Sequence, residues 1–212
     1  MLNMTDSLMY LRYRKKVAYL AALKAFKGLD FTGRNETSEP GLNGYEGCYP
    51  LNALLRSLSI TEADSIIDIG CGKGLFLYYA SRFQFGRIDG LEYSEELVQT
   101  AKRNVGLMSD HRLHIYHQDA REYSDYDRYN YFFINNPFDA GIMENVIIKL
   151  KESCRLNERK MTVIYQFPFR LDLFCAYGFS IVYNKFPDAI LTFDQRCAIL
   201  NNKISGGVSN EG

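Results

Sequence analysis

Three glycines spaced two residues apart interrupt an apolar stretch of the chain. They are Gly70, Gly72 and Gly74 in the segment "IIDIGCGKGLF", residues 66–76. Glycines at such a turn let a ligand approach the backbone closely, and phosphates, dinucleotides and sulfonium cofactors all bind turns of this kind. The residues around the turn must discriminate among these ligands.

The residues that flank the glycines argue against two of the three ligand classes. A phosphate-binding P-loop requires the pattern G-x-x-x-x-G-K-[ST], but Lys73 is followed by Gly74 and the loop is too short. A dinucleotide site requires G-x-G-x-x-G, and Leu75 stands where the third glycine belongs. Asp68, two residues before the first glycine, instead suits a cationic group such as the ammonium of a methionine moiety.

Acidic residues also end the next two strands that the sequence predicts. Glu92 in "GLEYS" can accept both hydroxyls of an adenosine ribose, a device that dinucleotide enzymes share. Asp119 in "HQDA" ends the following strand, where the acid or the next backbone amide can read adenine. Because the ligands of open α/β sheets bind at the carboxyl ends of the strands, the glycine turn and both acids predict one adenosine-binding site.

The fourth predicted strand ends in "FFINNPFD", in which two asparagines and a proline follow an apolar run. Such polar side chains are costly there unless they face a cleft. An amide oxygen and a carbonyl fixed by Pro137 can hold a nucleophile near a methyl group, so Asn135, Asn136, Pro137 and Phe138 are candidate catalytic residues. An Asn-Pro pair is also an ordinary start of a turn, and that alternative stays open.

Strands that alternate with helices position these residues. From residue 64 onward, five strands are predicted in "SIIDIG", "GRIDGLEY", "RLHIYHQD", "YNYFFINNP" and "MTVIYQF", with helices between them. This alternation predicts a doubly wound, mostly parallel α/β sheet covered on both faces. Two further strands, "GFSIVYN" and one within residues 189–200, have only a short link, which predicts an antiparallel C-terminal hairpin and a total of seven strands.

An N-terminal extension precedes the alternating part. Apolar spacing predicts an amphipathic helix over residues 8–27, whose basic run from Arg12 to Lys16 is either a solvated face or a substrate-facing patch. Residues 28–47 hold five of the sixteen glycines, which predicts a loop or lid. We therefore divide the chain into a helix-and-lid extension (1–47), a cofactor-binding domain (48–204) and a flexible tail (205–212).

Composition narrows the range of partners and locations. Basic and acidic residues number 25 each, so no global field draws the protein to nucleic acid, which we do not expect as a partner. The five cysteines include no C-x-x-C pair, and the three histidines alternate along a predicted strand, so we expect no metal site. Without a signal peptide or an apolar run of membrane-spanning length, the sequence predicts a cytoplasmic protein.

The motifs "DIGCGKG", "GLEYS", "HQDA" and "INNPF" together resemble those of class I (Rossmann-like) S-adenosylmethionine-dependent methyltransferases, over residues 48–200. The resemblance implies a seven-stranded sheet and S-adenosyl-L-methionine as cofactor. It implies that Asp68, Gly70 and Gly72 cradle the methionine part, and that Tyr45, Tyr49 and Pro50 cover the cofactor. The full implied cofactor set is Asp68, Gly70, Cys71, Gly72, Gly74, Glu92, Tyr93, Asp119, Ala120, Asn136 and Tyr49.

The methyl acceptor is less determined by the sequence. "NNPF" resembles the N-P-P-[YF] motif of amino-group methyltransferases with Asn136 at the first proline, the N-P-F of small bacterial members, and the double Asn of non-SET histone-lysine methyltransferases. An oxygen acceptor would require a base, for which only Asp139 is a candidate, so an amine nitrogen of a small molecule or protein is favoured. A non-catalytic S-adenosylmethionine-binding protein, a nicotinamide-dependent oxidoreductase and an RNA methyltransferase remain alternatives.

Overall fold

A seven-stranded sheet organises the part of the chain that the computed structural model describes, namely residues 4–34, 37, 39–185 and 188–193. The strand order is β3-β2-β1-β4-β5-β7-β6; β1 to β5 are parallel, and β7 runs antiparallel to both β5 and β6. The strands are β1 (Ser65–Ile69), β2 (Arg87–Glu92), β3 (Leu113–His117), β4 (Tyr131–Ile134), β5 (Met161–Gln166), β6 (Ser180–Lys185) and β7 (Asp188–Phe193). The predicted sheet and C-terminal hairpin are thereby confirmed, while the predicted tail lies outside the described residues.

Helices cover both faces of this sheet. They are α1 (Met4–Lys27), α2 (Asn52–Arg56), α3 (Leu75–Ala80), α4 (Glu95–Met108), α5 (Ala140–Leu156) and α6 (Leu171–Ala176), with a short 3-10 helix at Asp125–Arg128. Because successive strand residues point to opposite faces, Ile67 and Ile69 pack with α5, whereas Ile66 packs with α1, α2 and α3. In the described part of the chain, no helix is both long and apolar enough to cross a membrane.

The predicted extension packs into the same core as the sheet. Helix α1 buries Leu20 and Leu23, and the loop after it buries Phe31 completely. The buried Asn104 of α4 fastens this loop: its side-chain amide donates to the carbonyls of Asp30 and Lys73, both at 2.9 Å. The extension is therefore fixed directly above the glycine turn, which Lys73 belongs to.

The chain reverses its winding direction at β1, and this places a crevice at the end of that strand. Strand β1 lies between β2 and β4, with Ile69 paired to Leu91 on one side and to Ile134 on the other. Open α/β sheets bind ligands where the carboxyl ends of such neighbouring strands diverge. The glycine turn, Glu92 and Asn135 follow these three positions and must lie along one edge.

Candidate active site

The glycine turn after β1 is approached closely by other parts of the same chain. Gly70 and Gly72 have φ angles of 80° and 54°, which glycine adopts readily and other residues rarely. A Cβ at Gly70 would lie 2.6 Å from Pro137, and one at Gly72 would lie 2.1 Å from the ring of Tyr45. Pro137 and Tyr45 therefore explain why neither position can carry a side chain.

A cavity of about 90 Å³ opens between the glycine turn and the ends of β2 and β4. A second cavity, of about 570 Å³, lies beside it above the start of α4. Sites for ligands the size of a drug or cofactor measure roughly 300–1,000 Å³. Residues 42–45 line both cavities and separate them. The polar residues and glycines of the smaller cavity that the sequence had singled out are Asp68, Gly70, Cys71, Gly72, Glu92, Tyr93, Asp119 and Asn135.

The dividing wall belongs to a segment, residues 41–47, that we call the strap. The strap pairs with the "NNPF" segment: the Asn43 N–H donates to the Pro137 carbonyl at 2.8 Å, and the Asp139 N–H donates to the Gly41 carbonyl at 2.7 Å. The side-chain amide of Asn43 also donates to the Asn136 carbonyl at 2.7 Å. The strap thus occupies the surface above the candidate catalytic residues.

Two buried oxygen atoms in the smaller cavity lack hydrogen-bond partners among the described residues. They are Oδ1 of Asp68 and Oδ1 of Asn135. Burial raises the pKa of Asp68 well above its usual range, and the nearby charge of Glu92 raises it further. Since buried polar atoms in native proteins are nearly always hydrogen-bonded, these two mark where a ligand with donor groups would bind.

Glu92 is held in place by two backbone amides. Its carboxylate accepts from the N–H of Gly72 at 2.8 Å and from the N–H of Ser94 at 2.9 Å. Burial raises its pKa, although these hydrogen bonds act in the opposite direction. A carboxylate has about four acceptor positions, so this geometry leaves capacity for the two hydroxyls of a ribose.

Other predicted cofactor residues line the cavity in different ways. Cys71 is buried and fills the space at Gly90, where a Cβ would lie 2.7 Å from the sulfur. Asp119 and Ala120 both line the cavity. The Asp119 carboxylate is held by the guanidinium of Arg121 at 2.6 Å, which lowers the pKa of Asp119. Its role in reading adenine stays a prediction, as does that of the Ala120 amide. Gly74 does not line the cavity and forms the N-terminal cap of α3.

The structure places four of the predicted residues outside the cavity lining, namely Tyr49, Pro50, Gly74 and Asn136. The Asn136 side chain points toward Tyr165, whose hydroxyl lies 3.5 Å from Oδ1. Tyr49 packs against the ring of Phe167, and the Lys16 ammonium lies 4.5 Å from the centre of the Tyr49 ring. Their parts in cofactor binding therefore remain predictions, and the Asn136 carbonyl is the group that faces the strap.

Several lining residues were absent from the predicted site, and the polar ones among them include Asn43 and Gln118. Gln118 directly precedes Asp119 in "HQDA", so its position at the strand end was a usable signal. Asn43 offers no comparable signal because it lies in an aperiodic loop whose path the sequence pattern does not determine.

Two of the three histidines lie on β3, and they have separate partners. His114 lies 3.1 Å from Asp89, and His117 lies 2.9 Å from the Tyr93 carbonyl.

We expect Asp68→Asn to stabilise the unliganded protein near neutral pH. Because the folded pKa of Asp68 is raised, its ionisation costs stability as the pH rises from the unfolded value of about 3.9 toward the folded value. Removing the unpaired charge should add about 1–2 kcal/mol at pH 7, or roughly 2–4 °C in Tm per kcal/mol. Thermal unfolding at pH 7 and pH 4 checks this, since the gain should shrink at pH 4. An equal Tm for both proteins at pH 7 contradicts the assignment.

Comparison with known proteins gives this cavity its context. A family model described as "Methyltransferase domain" matches residues 66–156. A 23S rRNA (uracil(1939)-C(5))-methyltransferase of Acinetobacter baylyi is 30% identical over 122 residues, covering 57% of this chain and 24% of the relative. A tRNA1(Val) (adenine(37)-N6)-methyltransferase of Dyadobacter fermentans is 35% identical over 81 residues, covering 37% of this chain and 34% of the relative. The chain thus matches about a quarter to a third of the length of these curated relatives.

Solved structures share the fold. The ribosomal protein L11 methylase of Lactobacillus delbrueckii superposes with a TM-score of 0.51 at 16% identity, covering 67% of this chain and 75% of that one. The expectation that nucleic acid is not a partner is wrong, because the relatives that match this chain include methyltransferases of ribosomal and transfer RNA. Overall charge balance says nothing about the local charge that such substrates meet. The match of residues 66–156 to a methyltransferase domain supports an S-adenosylmethionine-dependent methyltransferase, with S-adenosyl-L-methionine as the implied cofactor, and the sheet order and the cavity between Asp68 and Glu92 agree with it.

Proposed function

We propose that the protein transfers a methyl group from S-adenosylmethionine to an exocyclic amino nitrogen of a base in RNA. The observation that carries this proposal is the buried, unpartnered Oδ1 of Asn135, which lies in the same cavity as Asp68. An amide oxygen accepts a hydrogen bond from an amine N–H and so orients the nitrogen without removing its lone pair. The relative that methylates N6 of adenine in a transfer RNA supports the same acceptor class.

The residues present fit the cofactor. The carboxylate of Asp68 would bind its ammonium group, and Glu92 would accept from its ribose hydroxyls while Gly72 and Ser94 hold the carboxylate in place. When bound, the cofactor supplies a methyl group that is already activated by a sulfonium sulfur. The protein therefore has to position an acceptor and exclude water, which is mainly a matter of orientation.

Asp139, the candidate general base, already accepts a hydrogen bond within the protein. This favours nitrogen over oxygen as the atom that receives the methyl group. Asp139 is the N-cap of α5, and its Oδ1 accepts from the backbone N–H of Ile142 at 2.9 Å. An oxygen acceptor has to lose a proton before or during attack, and this carboxylate is committed to the helix end. A neutral amine attacks through its lone pair and needs acceptors such as Asn135 Oδ1 to direct its N–H groups.

The acceptor site and the strap overlap. The Asn136 carbonyl is the second acceptor in the "NNPF" segment, and Asn43 donates to it through a side-chain amide nitrogen. That nitrogen stands where the amino group of a substrate would donate. Residues 42–45 also divide the two cavities, so the strap must move before the cofactor and an acceptor can be seated together.

We expect Asn135→Ala to lower turnover on RNA by about a hundredfold or more, because ~1 Å of misplacement can cost that much. Affinity for S-adenosylhomocysteine should stay within about tenfold, which is ~1.4 kcal/mol. The measurements are transfer of labelled methyl groups into unfractionated tRNA and rRNA, mass spectrometry of the nucleosides, and calorimetry with S-adenosylhomocysteine.

The matched control for this variant is Asn136→Gly. Asn136 has a φ of 47°, which glycine tolerates, and the substitution keeps the backbone carbonyl while it removes the side chain. Its turnover should stay within a few-fold of the wild type. Full turnover by Asn135→Ala on a confirmed acceptor overturns its proposed role, and wild-type protein that labels no RNA overturns the substrate class.

We expect Asn43→Ala to strengthen binding of S-adenosylhomocysteine by about two- to tenfold, because one hydrogen bond that holds the strap closed contributes about 0.5–1.5 kcal/mol. Asn145→Ala is the control, since the Asn145 side chain also donates to a backbone carbonyl, that of Gly141 at 3.0 Å, but on α5. Calorimetry compares the two variants. Unchanged or weaker binding by Asn43→Ala would show that the strap does not compete with the cofactor.

A further inference from the structure

We propose that the exposed side of helix α1 holds a single-stranded segment of RNA beside the methyl-transfer site. This surface, called the α1 face, consists of Tyr13, Arg14, Lys15, Tyr19 and Phe26 of α1 together with Arg82. The inference rests on the proposed function, since it names where the RNA substrate would bind.

Most of helix α1 carries charges of only one sign, which is positive. Residues 10–27 contain six basic side chains and no acidic one, although the whole chain has 25 of each sign. Arg14 and Lys15 are exposed on consecutive positions. Of the six, Lys16 is buried and Lys24 pairs with Asp30, which leaves Arg14 and Lys15 among the exposed charges. Lys and Arg concentrated along a helix are the electrostatic footprint of a nucleic-acid-binding surface. Neutral overall charge therefore conceals a local surface that suits a polyanion.

Aromatic side chains stand among these charges and face solvent. Phe26 is 87% exposed, while Tyr13 and Tyr19 are 43% and 37% exposed. Helix α1 faces the core with Lys16, Leu20 and Leu23, and Phe26 lies outside this buried stripe. Proteins that bind single-stranded nucleic acid combine a basic groove with aromatic rings on which bases stack. The composition of the α1 face matches that combination.

Arg82 extends the surface from α1 to the turn after α3. Its guanidinium lies 4.3 Å from the centre of the Tyr78 ring, and Nη2 lies 3.2 Å from the Tyr19 hydroxyl. These contacts hold a positive charge beside an exposed tyrosine. A fixed guanidinium beside a ring suits a phosphate that follows a stacked base.

A groove lies between the α1 face and the strap. It measures about 400 Å³ and runs between α1 and the loop at Phe31, with Tyr13 and Arg34 in its walls. Glu46 and Gly47 line both this groove and the cavity that contains Asp68. Lys16 fixes the junction, since its ammonium donates to the Gly47 carbonyl at 2.7 Å. Only the strap residues Glu46 and Gly47 therefore stand between a strand bound in this groove and the cofactor cavity.

The charge also disfavours a second copy of this chain as the occupant. In a symmetric dimer each partner would present the same patch, so two strongly basic surfaces would meet. Like charges placed opposite each other at an interface cost free energy. RNA supplies the complementary charge and the flat rings that the exposed aromatic residues can stack on.

The test measures binding of a fluorescein-labelled, single-stranded 20-nucleotide RNA by fluorescence anisotropy at several salt concentrations. The double variant R14E/K15E should bind about tenfold or more weakly at 0.1 M salt. It should also reduce the slope of log K against log salt by about 1.4, since each phosphate contact on single strands contributes ~0.7. Phe26→Ala should weaken binding about fivefold or more without changing the slope. Tm and affinity for S-adenosylhomocysteine should stay at wild-type values in both variants.

The control K149E/R155E makes the same change in net charge on α5, which packs on the opposite face of the sheet. It should bind the RNA like the wild type. Equal losses of RNA affinity in the control and R14E/K15E, or no loss in either, would show that the α1 face does not bind RNA. This outcome leaves the proposed methylation of RNA by the wild type unaffected. Wild-type dimers in light scattering that R14E/K15E or Phe26→Ala dissociates would also overturn the proposed role of the α1 face. Absence of methyl transfer to RNA by the wild type would instead remove the proposed function.

Discussion

A buried carboxylate with an unpartnered oxygen lies at the end of the central strand, and the organisation of the site follows from it. Asp68 is 3% exposed, and its Oδ1 has no hydrogen-bond partner in the described structure. Leaving a buried charged group unsatisfied costs free energy that a folded domain of marginal stability tolerates only at a site of function. The neighbouring charge of Glu92 adds to this cost, because it disfavours ionisation of Asp68. A cationic ligand group between the two would relieve both effects at once, which is why this edge of the sheet fits a sulfonium cofactor with an ammonium end.

Much of this arrangement could be predicted because it depends on periodicity. Strands alternate with helices along the chain, and the parallel register brings the residues after Ile69, Leu91 and Ile134 to one edge. Asp68, Glu92 and Asn135 therefore meet in one cavity, as their places at strand ends indicated. The path of the strap could not be predicted in this way. It depends on hydrogen bonds that Asn43 donates to, and the Gly41 carbonyl accepts from, a segment more than ninety residues away in sequence. Glycine-rich loops carry no periodic signal for such pairings.

Side-chain directions and partners within the predicted motifs could not be predicted either, because they also depend on contacts that periodicity does not encode. Asn135 and Asn136 are adjacent and chemically identical, yet the positive φ of Asn136 turns its side chain toward Tyr165 and leaves Asn135 in the cavity. Asp119 stands at the predicted strand end, but Arg121, two residues later, binds its carboxylate. The expectation that nucleic acid is not a partner was wrong for a related reason. Net charge is a sum over the chain, whereas recognition of RNA depends on how the charges are distributed over the surface.

The two proposed ligands are coupled through the strap. Tyr45 of the strap lies against Gly72 in the cofactor cradle, while Asn43 donates to the carbonyl of Asn136 in the acceptor segment. Cofactor and acceptor therefore require displacement of one and the same element. When one ligand has opened the strap, the other no longer bears that free-energy cost, so each should raise the affinity for the other by the same factor. Closure over both would then exclude water from the reacting atoms, which is the main task that an activated methyl donor leaves to the protein.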